Sequence, residues 1–117
     1  MKSDLSDLNR LNHVNDCIKD LNAILKNVDE DVFYRNVEKR YATERILEIV
    51  GEAINHISKS TLERTSVKID WDKIIGFRNI VAHEYFRIDY TIVFKIATEN
   101  IHSLSEAILD LISQLES

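Results

Sequence analysis

Residues 45–58 read "RILEIVGEAINHIS", and within them Ile46, Leu47, Ile49, Val50, Ala53, Ile54 and Ile57 recur at the three- and four-residue spacings of a helix. The apolar arc is wider than one neighbour can cover, so this helix belongs at the centre of a bundle, buried from more than one side. The same pattern reaches back through Phe33, Val37 and Tyr41, which predicts one helix over about residues 31 to 60. Gly51 sits inside it, where glycine costs about 1 kcal/mol relative to alanine unless close packing compensates. It is read as a contact point between helices.

Upstream, Leu11, Val14, Ile18, Leu21, Leu25 and Val28 fall on one stripe, predicting a first helix over about residues 4 to 28. Downstream, "KSTLERTSVKID" at 59–70 loses the period and gathers Ser and Thr, so residues 60–69 are expected to form a loop. Asp70 then stands as an N-cap, with Asp72 in the following turn suited to the positive end of a third helix. Trp71, Ile74, Ile75, Phe77, Ile80 and Val81 supply that helix's apolar face. After a break near "FRID" at 86–89, Asp89 is a second N-cap candidate. Ile92, Val93, Ile96, Ala97, Ile101, Leu104, Ile108, Leu111 and Leu115 continue as a fourth helix. Four amphipathic helices with short connections pack best as an antiparallel four-helix bundle. Proline is absent and glycine occurs at only 2 positions in 117 residues, which favours an all-α reading and a single domain spanning 1–117.

The net charge of −5 is uneven. Residues 1–30 and 89–117 are acidic, whereas the middle of the chain carries a slight excess of Lys and Arg. An acidic protein gains little long-range attraction to nucleic acid, which argues against a broad DNA-coating role, although a local basic cluster can still bind nucleic acid. The lone Cys17 has no intramolecular disulfide partner and suits a small buried hydrophobe. No apolar run approaches a membrane span, and the polar "MKSDLSDLNR" start lacks a signal-peptide pattern; a cytoplasmic protein without membrane contact is expected.

The third helix carries an unusual run, "FRNIVAHEYF" at 77–86. At about 100° per residue, Asn79 and His83 share one face and Arg78 and Tyr85 another, while Arg78 and His83 differ by roughly 140°. The two converge if the arginine bends around, if the helix ends between them, or if a second copy of the chain completes the site. Histidine can act as general acid or base near neutral pH, and a guanidinium can hold a phosphate oxygen as charge develops. The pairing suits RNA cleavage, where the ribose 2′-hydroxyl is the nucleophile, so neither a metal nor a protein nucleophile is required and no cofactor is expected. Each residue also has a bland reading. Arg78 can be a surface cation paired with an acid such as Asp72, His83 a helix-end histidine bonded to a carbonyl, Asn79 a local cap, and Tyr85 with Phe86 core aromatics with one wet edge.

"RNIVAHEY" matches the R-x4-H-x-Y pattern of the HEPN superfamily, and its surroundings resemble the HepT branch. The likeness extends through "RILEIVGEAINHIS" at 45–58 and "IDWDKIIGFRNIVAHEYFRIDYTIVFKI" at 69–96, and more loosely over the other helices. The resemblance implies an all-α bundle that forms a homodimer, with paired R-x4-H motifs lining a cleft between subunits. It also implies a metal-independent ribonuclease toxin whose antitoxin is a small nucleotidyltransferase of the MntA type. By that likeness Arg78 and His83 are the catalytic pair, Asn79 is a positioning residue, and Tyr85 is the tyrosine to which the antitoxin transfers AMP. A shared cleft would ease the awkward angle between Arg78 and His83. AMP on Tyr85 would bring phosphate toward the guanidinium and obstruct the RNA path.

Arg87, Lys73 and Lys68 are candidate phosphate contacts, and Phe86 and Tyr90 candidate platforms for unpaired bases. The basic run "RNVEKRYATER" at 35–45 is interleaved with acids and reads as a solvated face. "ENIH" at 99–102 is a Glu-x-x-His, but a di-iron bundle needs two, and "HEYFR" does not complete H-E-x-x-H because residue 87 is Arg. Glu44, Glu48, Glu52 and His56 form an i,i+4 ladder read as a solvated stripe, one acid of which could support Arg78 from a neighbouring helix. A rival reading keeps the motif for binding alone, as a non-catalytic nucleotide- or RNA-binding module that scaffolds a partner nucleotidyltransferase.

Overall fold

The structure, a computed structural model, describes residues 2–78 and 89–117. Among the described residues all regular structure is helical. The elements are α1 (Lys2–Ile24), α2 (Glu30–Arg35), α3 (Val37–Asn55), α4 (Lys59–Leu62), α5 (Trp71–Ile75), α6 (Tyr90–Lys95) and α7 (Ile101–Glu116). A π-helical turn at Ile96–Asn100 joins α6 to α7.

The core is where the stripes predict it. Leu11, Val14, Ile18 and Leu21 of α1 meet Leu47, Val50 and Ile54 of α3 and Leu104, Ile108 and Leu111 of α7, all buried. Burying each such side chain contributes roughly 1.5–3 kcal/mol, which is what holds α1 between α3 and α7. Phe33, from α2, is fully enclosed and packs on Phe94, with ring centroids 5.0 Å apart. Cys17 is buried, as its apolar neighbours suggest.

Three boundaries differ from the sequence expectation. The first helix stops at Ile24 rather than near 28, because Asn27 adopts a left-handed φ of 59° that asparagine tolerates at a helix end. Lys39 then donates its ammonium to the Ile24 carbonyl at 2.8 Å, satisfying one orphan acceptor of α1. The long central helix is divided at Asn36. That residue is extended, ends α2, and starts α3 by accepting the Lys39 amide on its side chain at 3.0 Å. Asp29 caps α2 in the same way, accepting from the Val32 amide at 2.8 Å. After the restart the buried face of α3 is Thr43, Leu47, Val50, Gly51 and Ile54, which leaves Val37 and Tyr41 exposed. The expected 60–69 loop contains the short α4 at its beginning. The Asp70 and Asp89 caps form as expected, accepting from the Lys73 amide and from the Thr91 and Ile92 amides respectively. The later part of the predicted third helix, with Ile80 and Val81, lies outside the described residues.

At Gly51 the backbones of α3 and the α5 segment approach closely. A Cβ built there would stand 3.0 Å from the Arg78 amide nitrogen, 3.1 Å from the Ile75 carbonyl oxygen and 3.2 Å from that of Ile74. The glycine therefore lets α5 and the turn after it lie directly on α3, with Ile74 and Phe77 buried. This contact places the start of the R-x4-H motif.

Candidate functional site

Arg78 follows the turn at Gly76, one residue after the buried Phe77, and its backbone rests against Gly51. Glu52, the next residue of α3, is thereby placed beside the guanidinium and accepts from its Nη1 at 2.9 Å. The other carboxylate oxygen of Glu52 lies 3.0 Å from His56 Nε2, one helical turn along. Glu52 thus bridges Arg78 and His56. Bonds from Arg78 and then from His56 hold its carboxyl below the usual carboxylate range, so it is charged throughout the neutral region.

Both partners are partly exposed, Arg78 at 34% and Glu52 at 50% of the side chain, so the bond orients more than it stabilises. Orientation is the chemical point. A guanidinium has five N–H donors, and here one is committed to Glu52. Arg78 Nε is buried and has no hydrogen-bond partner among the described residues. A phosphate is well suited to a fork held in this way.

The acid beside Arg78 is Glu52 of the neighbouring helix, not Asp72 of its own. The ladder on α3 is a row of local pairs, with Glu48 accepting from Arg45 at 2.6 Å and Glu52 joined to His56 and Arg78. The basic run at 35–45 is likewise engaged. Arg35 pairs with Asp31, Lys39 holds the Ile24 carbonyl, and Arg40 lies 4.8 Å over the Tyr90 ring.

Of the other candidates, Lys73 and Lys68 are exposed. Tyr90 is half-buried, edge-on to Phe33 at 6.3 Å and to Tyr34 at 6.4 Å, under the Arg40 guanidinium. Burial first, and then the Glu44 carboxylate, push its phenol up to about 12. Its ring is thus already flanked by protein groups. Asn79, His83, Tyr85, Phe86 and Arg87 lie outside the described residues. The sequence did not single out His56 as a neighbour of the site, because its link to Arg78 runs through Glu52 and depends on how α5 crosses α3.

An all-α bundle that fixes an arginine against a glutamate at the head of an R-x4-H motif defines a class of helical domain, and the comparisons place it. The family model described as "Ribonuclease HepT-like" matches residues 14–111. The chain belongs to that ribonuclease HepT-like family. It is 35% identical over 89 residues to "Putative RNase MJ1380" of Methanocaldococcus jannaschii, covering 76% of this chain and 81% of that protein. A second protein of that organism, "Putative RNase MJ0125", is 31% identical over 97 residues, 83% of each chain. "Probable ribonuclease HepT" of Thermococcus cleftensis is 32% identical over 72 residues, covering 62% of this chain and 64% of that one. No solved structure matches. No described helix is long and apolar enough to cross a membrane.

Proposed function

We propose that this chain is a metal-independent endoribonuclease, the toxin of a toxin–antitoxin pair, working as a homodimer whose two R-x4-H motifs share a cleft. The observation that carries this reading is the Arg78 guanidinium, held by Glu52 and by the Gly51 contact at the head of the motif, in a chain of the ribonuclease HepT-like family.

In this scheme Arg78 binds the scissile phosphate and stabilises the charge that develops on its oxygens. His83 serves as general base and acid, the same residue in the second subunit sharing the task, and Asn79 positions the phosphate. The 2′-oxygen attacks phosphorus and gives its proton to the base. The bond to the 5′-oxygen breaks, and that oxygen takes a proton from the acid. The products are a 2′,3′-cyclic phosphate and a 5′-hydroxyl end. A nucleotidyltransferase antitoxin of the MntA type neutralises the enzyme by transferring AMP to Tyr85. Lys73, Arg87, Phe86 and Tyr90 are proposed to line the RNA path, with Tyr90 supporting it from its aromatic cluster.

The test is an oligodeoxynucleotide carrying one ribonucleotide, incubated with protein in chelator. Cleavage should occur only on the 3′ side of the ribose and leave a cyclic phosphate, and Arg78→Ala should abolish it. Binding by wild type without cleavage, weakened in Arg78→Ala, would instead support a non-catalytic module that scaffolds the nucleotidyltransferase. Expression of wild type should arrest growth and Arg78→Ala relieve the arrest; equal toxicity would count against the toxin role.

A further inference from the structure

Beside the Arg78–Glu52 pair, α1 and α3 enclose an open groove of about 450 Å³. We propose that this groove is a subsite for one nucleotide of the RNA strand, next to the phosphate held by Arg78. The proposal rests on the ribonuclease reading for the identity of the strand, but its geometry is independent of the cleavage chemistry.

The floor of the groove is apolar, formed by the half-buried Ile49 and Ala53 of α3. Its rims are polar, with Arg10 and His13 on the α1 side and Arg45, Glu48, Glu52 and His56 on the α3 side. An apolar floor between hydrogen-bonding rims fits a nucleobase, and the volume lies within the usual few hundred to a thousand Å³ of small-ligand sites. Charge favours the same occupant. On the α3 rim, Arg45 is paired with Glu48, and His56 with Glu52. On the α1 rim, Arg10 makes no ion pair with any described residue, and among those residues exposed His13 is bonded only to the Cys17 thiol, at 4.0 Å.

With Arg78 included, three arginines face two glutamates here, in a chain whose overall charge is −5. Arg10, which has no ion-pair partner among the described residues, is the cation a phosphate would take. Continuity completes the case, because Glu52 is both a wall of the groove and the acid that holds Arg78. A strand whose phosphate sits on Arg78 therefore reaches the groove directly. A second copy of the chain is a poorer occupant, since most of the lining is charged or titratable and charged residues are depleted from interface cores. The exposed apolar side chains, such as Leu5, Tyr41 and Leu109, are not among its lining residues.

The test uses an eight-nucleotide RNA, 2′-O-methylated throughout so that it binds without being cut, with 4-thiouridine placed in turn at each position. Irradiation of the wild-type complex should give adducts on peptides carrying Arg10 and His13 or residues 45–56. Arg10→Ala should weaken binding about tenfold. It should also lessen the slope of log affinity against log salt by about 0.7, the value of one phosphate contact on a single strand. Adducts confined to other segments, together with wild-type affinity and slope in Arg10→Ala, would overturn the proposal. So would a dimer that falls to monomer in Arg10→Ala, since the groove would then hold a second copy. Cross-linking uses wild type and does not depend on the variant folding. If the groove cross-links but unmodified RNA stays intact, the ribonuclease reading fails and the subsite stands; cleavage, with adducts confined to other segments and Arg10→Ala binding as wild type, gives the reverse.

Discussion

One methyl group added at Gly51 should cost stability and loosen the arginine site together. A Cβ there stands 3.0–3.2 Å from three backbone atoms, the Arg78 nitrogen and the Ile75 and Ile74 oxygens, where ordinary contact begins near 3.4 Å. None of the three is the end of a flexible side chain, so α5 and residues 77–78 must retreat by a few tenths of an ångström. Overpacking of this kind costs about 1–3 kcal/mol, while alanine's better helix propensity returns about 1 kcal/mol. Gly51→Ala should therefore lose about 1 kcal/mol, a fall of roughly 3–5 °C in melting temperature for a domain of this size. The retreat carries Arg78 away from Glu52, so RNA cleavage should fall by more than stability alone explains, and Gly51→Val should be worse on both counts. Circular-dichroism melts and an RNA cleavage assay on the same preparations make the comparison. A Gly51→Ala protein that melts several degrees above wild type, as propensity alone dictates, would refute the close-contact argument.

Asp7 is buried at 2% exposure and accepts from the Thr61 hydroxyl at 2.6 Å and the Ser58 amide at 3.2 Å, tying α1 to the start of α4. Burial acts to raise its carboxyl, but the bonds from Thr61 and Ser58 outweigh it and hold the group below its ordinary 3.8. Asp7→Asn should lose about 2 kcal/mol at neutral pH. Because the folded value is the lower one, that advantage is complete above the ordinary value and disappears as pH falls through the depressed one. Denaturant titrations at pH 7 and pH 3 should show the gap between the proteins closing; a constant gap would contradict the linkage. Glu52→Gln should lower kcat/KM for RNA about tenfold through a misplaced Arg78, with little change in melting temperature. Since the Glu52 carboxyl is also depressed, wild type should keep the Arg78 bond until pH falls below the ordinary 4.5. Asn36→Ala removes the cap of α3 and should cost about 1 kcal/mol by thermal melt, whereas an unchanged melt would mean α2 and α3 do not depend on that cap.

The elements legible in the sequence are those whose signals are local. The stripe of α1, the Asp70 and Asp89 caps and the glycine contact each follow from residues adjacent in the chain or on one helix face. The break at Asn36 was hidden because Phe33, Val37 and Tyr41 continue an apolar period across it. The burial of Phe33 alone among them is decided by α6. Ile92 likewise fits the fourth stripe yet is exposed, and the π-helical turn at Ile96–Asn100 shifts the phase of the pattern between α6 and α7 without leaving a compositional mark. In the site, the ladder on α3 identified acids that could support Arg78, but not which rung. That choice is made by where α5 crosses α3, and Gly51 sets the crossing immediately before Glu52. The pairing of Arg10 and His13 with the far side of the same groove is a tertiary fact with no counterpart in local spacing.

The most direct measurement of the central claim is digestion of total cellular RNA in chelator by wild-type and His83→Ala proteins, with intact mass measured first to show that neither carries AMP. Cleavage by wild type and none by His83→Ala is the result expected of a metal-independent ribonuclease whose histidine transfers the proton. Unmodified wild type that binds RNA and leaves it whole, or His83→Ala that cuts as fast as wild type, would contradict it.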